Sequence, residues 1–158
     1  MIERRDIMQD LSILMEQGLL KVRTSVLVKC GEHYLIHKEV QDDFWCLVGG
    51  RVKFGEDSWS AVKREFLEEL DYEIMQPQNL IFHVEQFFSH ENTNYHELNY
   101  GYFIELDTQE IESQIRQEEG KTFIYEWKTA EEIQELTLYP EIAAEMIHNQ
   151  KFEFQHVI

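Results

Sequence analysis

The spacing of apolar positions along the chain alternates between two rhythms. Ile7, Leu11, Leu14 and Met15 in "DIMQDLSILMEQ" fall near helical spacing, and Gly18 is placed to end such a helix over residues 6–17. "KVRTSVLVKC" then reads as a strand, "GE" as a turn and "HYLIHKEV" as the hairpin partner. "FWCLVGGRV" is a third extended segment, stopped by glycines. From Asp57 or Ser58, either of which suits an N-cap, to about Asp71 the pattern is helical. "LIFHVEQFFSH" and "HELNYGYFIEL" predict two long strands about the polar turn "ENTN", and "KTFIYEW" predicts another. "TAEEIQEL" predicts a short helix capped by Thr129. "YPEIAAEMIHNQ" predicts a closing helix with Pro140 in its first turn. This order predicts an α+β domain, or a small mixed-sheet sandwich with helices on its faces, as a single unit over 1–158. Residues 1–20 are expected to pack as an amphipathic extension on the core or on a second copy, so a homodimer is one expected state.

The central helix carries a second pattern. At 100° per residue, Trp59, Val62, Phe66, Leu67 and Leu70 fall within an arc of about 140°, the core-facing stripe. Lys63 interrupts it and is expected to extend its stem past the apolar side. Glu65, Glu68 and Glu69 lie within about 100° of one another on another face, with Glu69 at the border of the stripe. Like charges at these spacings repel by roughly 0.2–0.5 kcal/mol per pair, so stability alone disfavours the cluster, whereas a hard divalent cation requires one. Spacing is weak evidence by itself: Glu131, Glu132 and Glu135 form a similar triplet that reads as a solvated helix face. Context separates the two. "GGRVKFGE" precedes the first triplet with Gly49, Gly50 and Gly55, where backbone can approach a ligand, and Arg64 is placed to orient a neighbouring carboxylate.

Composition narrows the function classes. The chain has 158 residues, with 14 Lys and Arg against 31 Asp and Glu, a formal net charge of −17. Such a chain repels polyanions, so no DNA partner is expected, and an anionic substrate needs local positive charge or a bound metal. The first 20 residues are also too short for a helix-turn-helix. Cys30 and Cys46 make neither a disulfide framework nor a zinc site and are expected to be buried thiols. No signal peptide or membrane span is legible, which makes a cytoplasmic protein with no membrane partner the expectation.

Gly50, five residues, Glu56, seven residues and then "REFLEELDY", Arg64 to Tyr72, resembles the Nudix box in every fixed polar position. The departure is Asp71, where the family usually has glycine. Asp tolerates the left-handed conformation, so the helix is expected to end normally there. The box spans 49–72, and weaker likenesses ("HEL", "EW", "LYP") extend the resemblance over roughly 21–150. It implies a Nudix fold, an α/β/α sandwich around a mixed sheet. It also implies Mg²⁺- or Mn²⁺-dependent hydrolysis of a nucleoside diphosphate linked to another moiety, with a small nucleotide as partner. By position it makes Glu65, Glu68 and Glu69 metal-binding carboxylates and the Gly49 carbonyl a further ligand. Arg64 holds Glu65, and Glu56 braces the loop-and-helix unit. A glutamate before the "EW" strand takes part as ligand or base in several relatives. "RQEEGKTFIYEW" offers Glu118 and Glu119, and Glu119, followed by Gly120, fits better. Arg23, Arg51 and Lys53 are candidate phosphate contacts. Phe44 or Trp45 could stack on a base, although alternation sends one of them inward, and the pair His96-Glu97 is a candidate substrate contact. The remaining histidines show no metal-ligand spacing. The alternative is a non-catalytic Nudix-fold domain that binds a nucleotide-like ligand. Such domains usually lack one or more box glutamates, and this chain keeps them all.

Overall fold

A computed structural model describes residues 9–158. Its elements in chain order are β1 Ser12–Met15, β2 Gly18–Cys30, β3 His33–Glu39, β4 Trp45–Arg51 and α1 Ser58–Leu70. They continue with β5 Leu80–His90, β6 Thr93–Leu106, β7 Gln114–Glu118, β8 Lys121–Thr129, α2 Ala130–Gln134, β9 Leu138–Tyr139, α3 Glu141–Asn149 and β10 Gln155–Val157. Among the described residues the strands form one mixed sheet in the order β10-β5-β6-β2-β4-β3-β8-β7, with β1 paired to β2 and β9 to β4. The β2–β6, β5–β10 and β4–β9 pairs are parallel and the others antiparallel.

Alternation along β2 divides the interior. Val26 and Val28 face α1 and pack with Leu35, Val48, Val62, Phe66 and Leu70. Leu27 faces the opposite way, onto Ile36, Leu47, Ile133, Ile142, Met146 and Ile147 beneath α2 and α3. Helices thus cover both sides of the sheet, as the α/β/α reading requires. No helix among the described residues is long and apolar enough to cross a membrane.

Three expectations are corrected. Residues 9–17 form no helix: Ser12–Met15 pair with Gly18–Lys21 as a hairpin. The Leu11 amide donates to the Val52 carbonyl at 2.8 Å, and the Leu11 carbonyl accepts from Val22 at 2.9 Å. Those tertiary bonds override a weak helical spacing, and Gly18 leaves room for the Asn94 carbonyl, which a Cβ would meet at 2.3 Å. Ile13, Leu14 and Met15 of this hairpin are exposed in the single chain; Ile7 lies outside the described residues. In α1, Leu67 is half exposed and Lys63 is exposed, so the buried stripe is Ala61, Val62, Phe66 and Leu70. The cysteines are free and only half buried.

Candidate active site

The box helix is fixed at both ends by its own sequence. The Asp57 carboxylate accepts from the Ser60 amide at 2.9 Å. The Thr24 hydroxyl, fully buried, donates to the Ser58 carbonyl at 3.0 Å and so ties the first turn to β2. At the other end Asp71 adopts φ 51°, ψ 37°, and its amide closes on the Leu67 carbonyl. The substitution for glycine leaves the turn intact.

Arg64 organises the carboxylates around it. Its guanidinium grips Glu56 with two bonds, Nε to Oε2 at 2.7 Å and Nη2 to Oε1 at 2.9 Å. Nη1 donates to Glu65 Oε1 at 2.8 Å and to Glu68 Oε2 at 3.3 Å, and Nη2 also reaches the Arg51 carbonyl at 3.0 Å. The Lys53 amide donates to Glu56 at 3.2 Å. This fork holds the Glu56 carboxyl below the usual carboxylate range, first through the Arg64 bonds. The Glu65 carboxylate lies against Gly50, where a Cβ would meet its carboxyl carbon at 2.3 Å; β4 makes room for it by lacking a side chain there.

Glu69 is the exception in the cluster. Its Oε2 is buried and has no hydrogen-bond partner. Burial, and then the charge of Glu65, push its pKa up to about 8, while Arg23 and Arg116 oppose the shift and Glu118 adds to it. Glu65 is raised for the same first reason, burial, against the pull of Arg64. A buried, unpartnered carboxylate oxygen beside a second carboxylate is the environment a hard cation relieves. Among the described residues no three His, Cys, Asp or Glu side chains converge into a ready cluster, and Glu68 is half exposed and bonded to Arg64. The donor set, all oxygen and all anionic, nonetheless suits a hard divalent ion.

Beside the box lies a cleft of about 780 Å³. Lys21, Arg23, Gln86, Glu97 and Asn99 form its polar wall, and Phe44, Phe88, Tyr95 and Tyr139 its aromatic one. Glu97 is 4% exposed, and both of its oxygens are engaged, Oε1 by Gln86 at 2.6 Å and Oε2 by Lys21 at 3.2 Å. Asn99 accepts from the Ser25 hydroxyl at 2.9 Å. Phe88 and Tyr95 stack at 4.9 Å, and Phe44 meets Tyr139 edge-on at 5.4 Å. Arg23 links cleft and box: it lines the first, and its charge lowers the pKa of both Glu65 and Glu69 in the second.

Of the substrate contacts expected from sequence, Arg23 and Phe44 line the cleft, and Arg51 and His96 do not. Arg51 pairs with Asp10 at 3.7 Å. His96 belongs to the cross-strand row Phe87–His96–Leu20–Ile13, and strand alternation turns that row away from Tyr95, Glu97 and Asn99. Of the pair His96-Glu97 in "HEL", Glu97 is the one that lines the cleft. Cys46 also lines the cleft, with its thiol pKa raised by burial. Trp45 is buried in the core.

Glu119 and Gly120, with φ of 49° and 77°, form the two-residue tip of the β7–β8 hairpin. Glu119 is exposed there. The carboxylate whose charge acts on Glu69 is its neighbour Glu118. Sequence reasoning missed β7, and with it Arg116. Only the positive-φ pair "EG" between polar alternating residues signalled a hairpin.

The NUDIX domain family model matches residues 19–150. Among solved structures, a MutT protein from Bacillus halodurans superposes with a TM-score of 0.66 at 20% identity, covering 86% of each chain. A MutT NUDIX hydrolase from Burkholderia pseudomallei gives 0.63 at 19% identity, over 81% of this chain and 98% of that one. An Ap4A hydrolase from C. elegans gives 0.56 at 15% identity, over 83% and 96%. No curated protein matches the sequence.

Proposed function

The chain belongs to the Nudix family, and on that premise we propose that it is a pyrophosphohydrolase acting on a nucleoside diphosphate linked to another moiety. The observation that carries this reading is the Glu69 carboxylate beside Glu65, with its Oε2 buried and unpartnered, whose raised pKa the charge of Arg23 in the adjoining cleft opposes. Glu65, Glu68, Glu69 and the Gly49 carbonyl would hold Mg²⁺ or Mn²⁺. When bound, such an ion neutralises diphosphate charge and polarises a phosphorus–oxygen bond.

This chain's residues supply the rest. Arg64, clamped by Glu56, fixes Glu65 and is a positioning residue. Glu65 gives Oε1 to Arg64 and keeps Oε2 to take the proton of the attacking water. The water oxygen bonds to phosphorus, the bridging phosphorus–oxygen bond breaks, and its electron pair leaves with the departing phosphate. Glu119 is the second candidate for the proton. Arg23 is the phosphate contact, since the Lys21 charge is already paired with Glu97. Phe44 and the Phe88–Tyr95 pair offer aromatic faces for the base.

Release of a nucleoside monophosphate in Mg²⁺, and its absence in EDTA, is the expected result across a panel of nucleoside diphosphate conjugates. Nucleotide binding with no product in either condition would establish the non-catalytic alternative.

A further inference from the structure

The last turn of α1 poses an electrostatic difficulty. It holds Glu68 and Glu69 and no basic residue, at the helix end where the dipole is negative. Asp71 closes on the Leu67 carbonyl, so the carbonyls that follow have no partner within the helix. The Glu68 carbonyl finds one 48 positions away in sequence: Arg116 Nη1 on β7 donates to it at 2.8 Å.

The hairpin is built to deliver that cation. In β7, Gln114, Arg116 and Glu118 alternate onto one face, opposite Tyr125, Phe123 and Lys121 of β8. Tyr125 and Phe123 belong to the core under α1, so this face looks toward the box helix. Ile115, between them, is 70% exposed. Arg116 and Glu118 are also the two β7 groups whose charges act on Glu69. Without Arg116, β7–β8 would meet the acidic end of α1 with Glu118 alone, like charge against like.

We propose that Arg116 is a positioning residue that latches the β7–β8 hairpin to the last turn of the box helix, setting the backbone at Glu68 and the distance between Glu69 and Glu118. The inference rests on the hydrolase reading above, and it adds a part of the site outside the box. Arg116 touches neither substrate nor reacting atoms; it acts through Glu68 and Glu69.

The test compares R116A, R116Q and R116K with wild type in three measurements: the melting temperature, the dissociation constant of Mn²⁺ read by EPR without nucleotide, and kcat and KM separately. Loss of a group that supports metal ligands typically costs about 10- to 100-fold in metal affinity or activity, and R116A should show that in Mn²⁺ affinity and kcat with KM little changed. R116K, which keeps a donor and the charge, should recover most of the loss. R116Q, which keeps a donor alone, should fall between them and carries the test if R116A does not fold. A lowered melting temperature in R116A and R116Q, with Mn²⁺ affinity and kcat within about twofold of wild type, would reduce Arg116 to a stabilising contact and overturn the proposal. Wild-type protein that binds no Mn²⁺ would overturn the hydrolase reading, and this one with it.

Discussion

At the scale of single residues, Glu69 and Gly50 make the sharpest predictions. Glu69 has one carboxyl oxygen, Oε2, buried without a hydrogen-bond partner, while the other side of the group meets the Tyr125 hydroxyl. Glu69→Gln should fold and lose turnover by at least about two orders of magnitude, the scale seen when a group stabilising transition-state charge is removed. Steady-state kinetics on a folded variant decide it, and unchanged turnover would sink the assignment. Gly49 and Gly50 are neighbours that should fail differently. A Cβ on Gly49 would lie 2.0 Å from the Thr24 backbone carbonyl, so Gly49→Ala should disrupt β2–β4 and lower the melting temperature. The three atoms nearest a Cβ on Gly50 all belong to the Glu65 carboxylate. Gly50→Ala should therefore melt nearly as wild type and lose kcat, because the flexible group that must move is itself part of the site. The glycines and carboxylates were legible in sequence because their chemistry is local. Which of His96 and Glu97 lines the cleft was not, since neighbours on a strand take opposite faces.

At the scale of elements, α1, the β2–β3 hairpin and the two long strands were legible because their periodicity runs for many residues and caps mark their ends. Thr129 and Asp57 cap as read, and Asp57 rather than Ser58 holds the box helix. The short elements were illegible. β1 has four residues and is a strand only because β2 lies beside it; β7 has five and β9 two. The β7–β8 hairpin matters most, because it decides which glutamate reaches the site. If Glu118 is the one, Glu118→Gln should lower kcat by about tenfold or more while Glu119→Gln, at the exposed tip, changes it little. The reverse order would restore the assignment to Glu119. Equal, slight effects would leave both as solvated groups and Glu65 as the base.

At the scale of the whole molecule, burial couples stability to pH. His37 lies in the core, stacked on Tyr125 at 5.0 Å, with Nε2 bonded to the Leu47 carbonyl at 3.1 Å and Nδ1 unpartnered. Burial, then the charge of Arg23, lower its pKa from 6.5 to about 3. Between those values the unfolded chain binds a proton that the folded chain refuses. The stability tied to neutral His37 is complete above pH 6.5 and is lost as pH falls toward 3. Denaturant titrations should give wild type a steeper fall over that window than His37→Phe, by up to about 1.4 kcal/mol per pH unit. Parallel curves would show that His37 titrates normally.

The net charge of −17 makes a broader demand. A chain this acidic repels itself and its substrate, and any cation relieves both by screening. A specific site does more, because an ion that binds only the folded state stabilises it by RT ln(1 + [L]/Kd), about 2.7 kcal/mol at a hundredfold excess over Kd. For a domain of this size that is a rise in melting temperature of roughly 5–10 °C. Mg²⁺ or Mn²⁺ should therefore raise the midpoint well beyond NaCl of equal ionic strength. Glu69→Gln should keep the small rise from salt and lose most of the specific one, since it removes a proposed ligand and leaves the overall charge almost unchanged. Equal shifts from Mg²⁺ and matched NaCl in wild type would mean that the acidic surface, and no site at Glu65 and Glu69, takes up the ion.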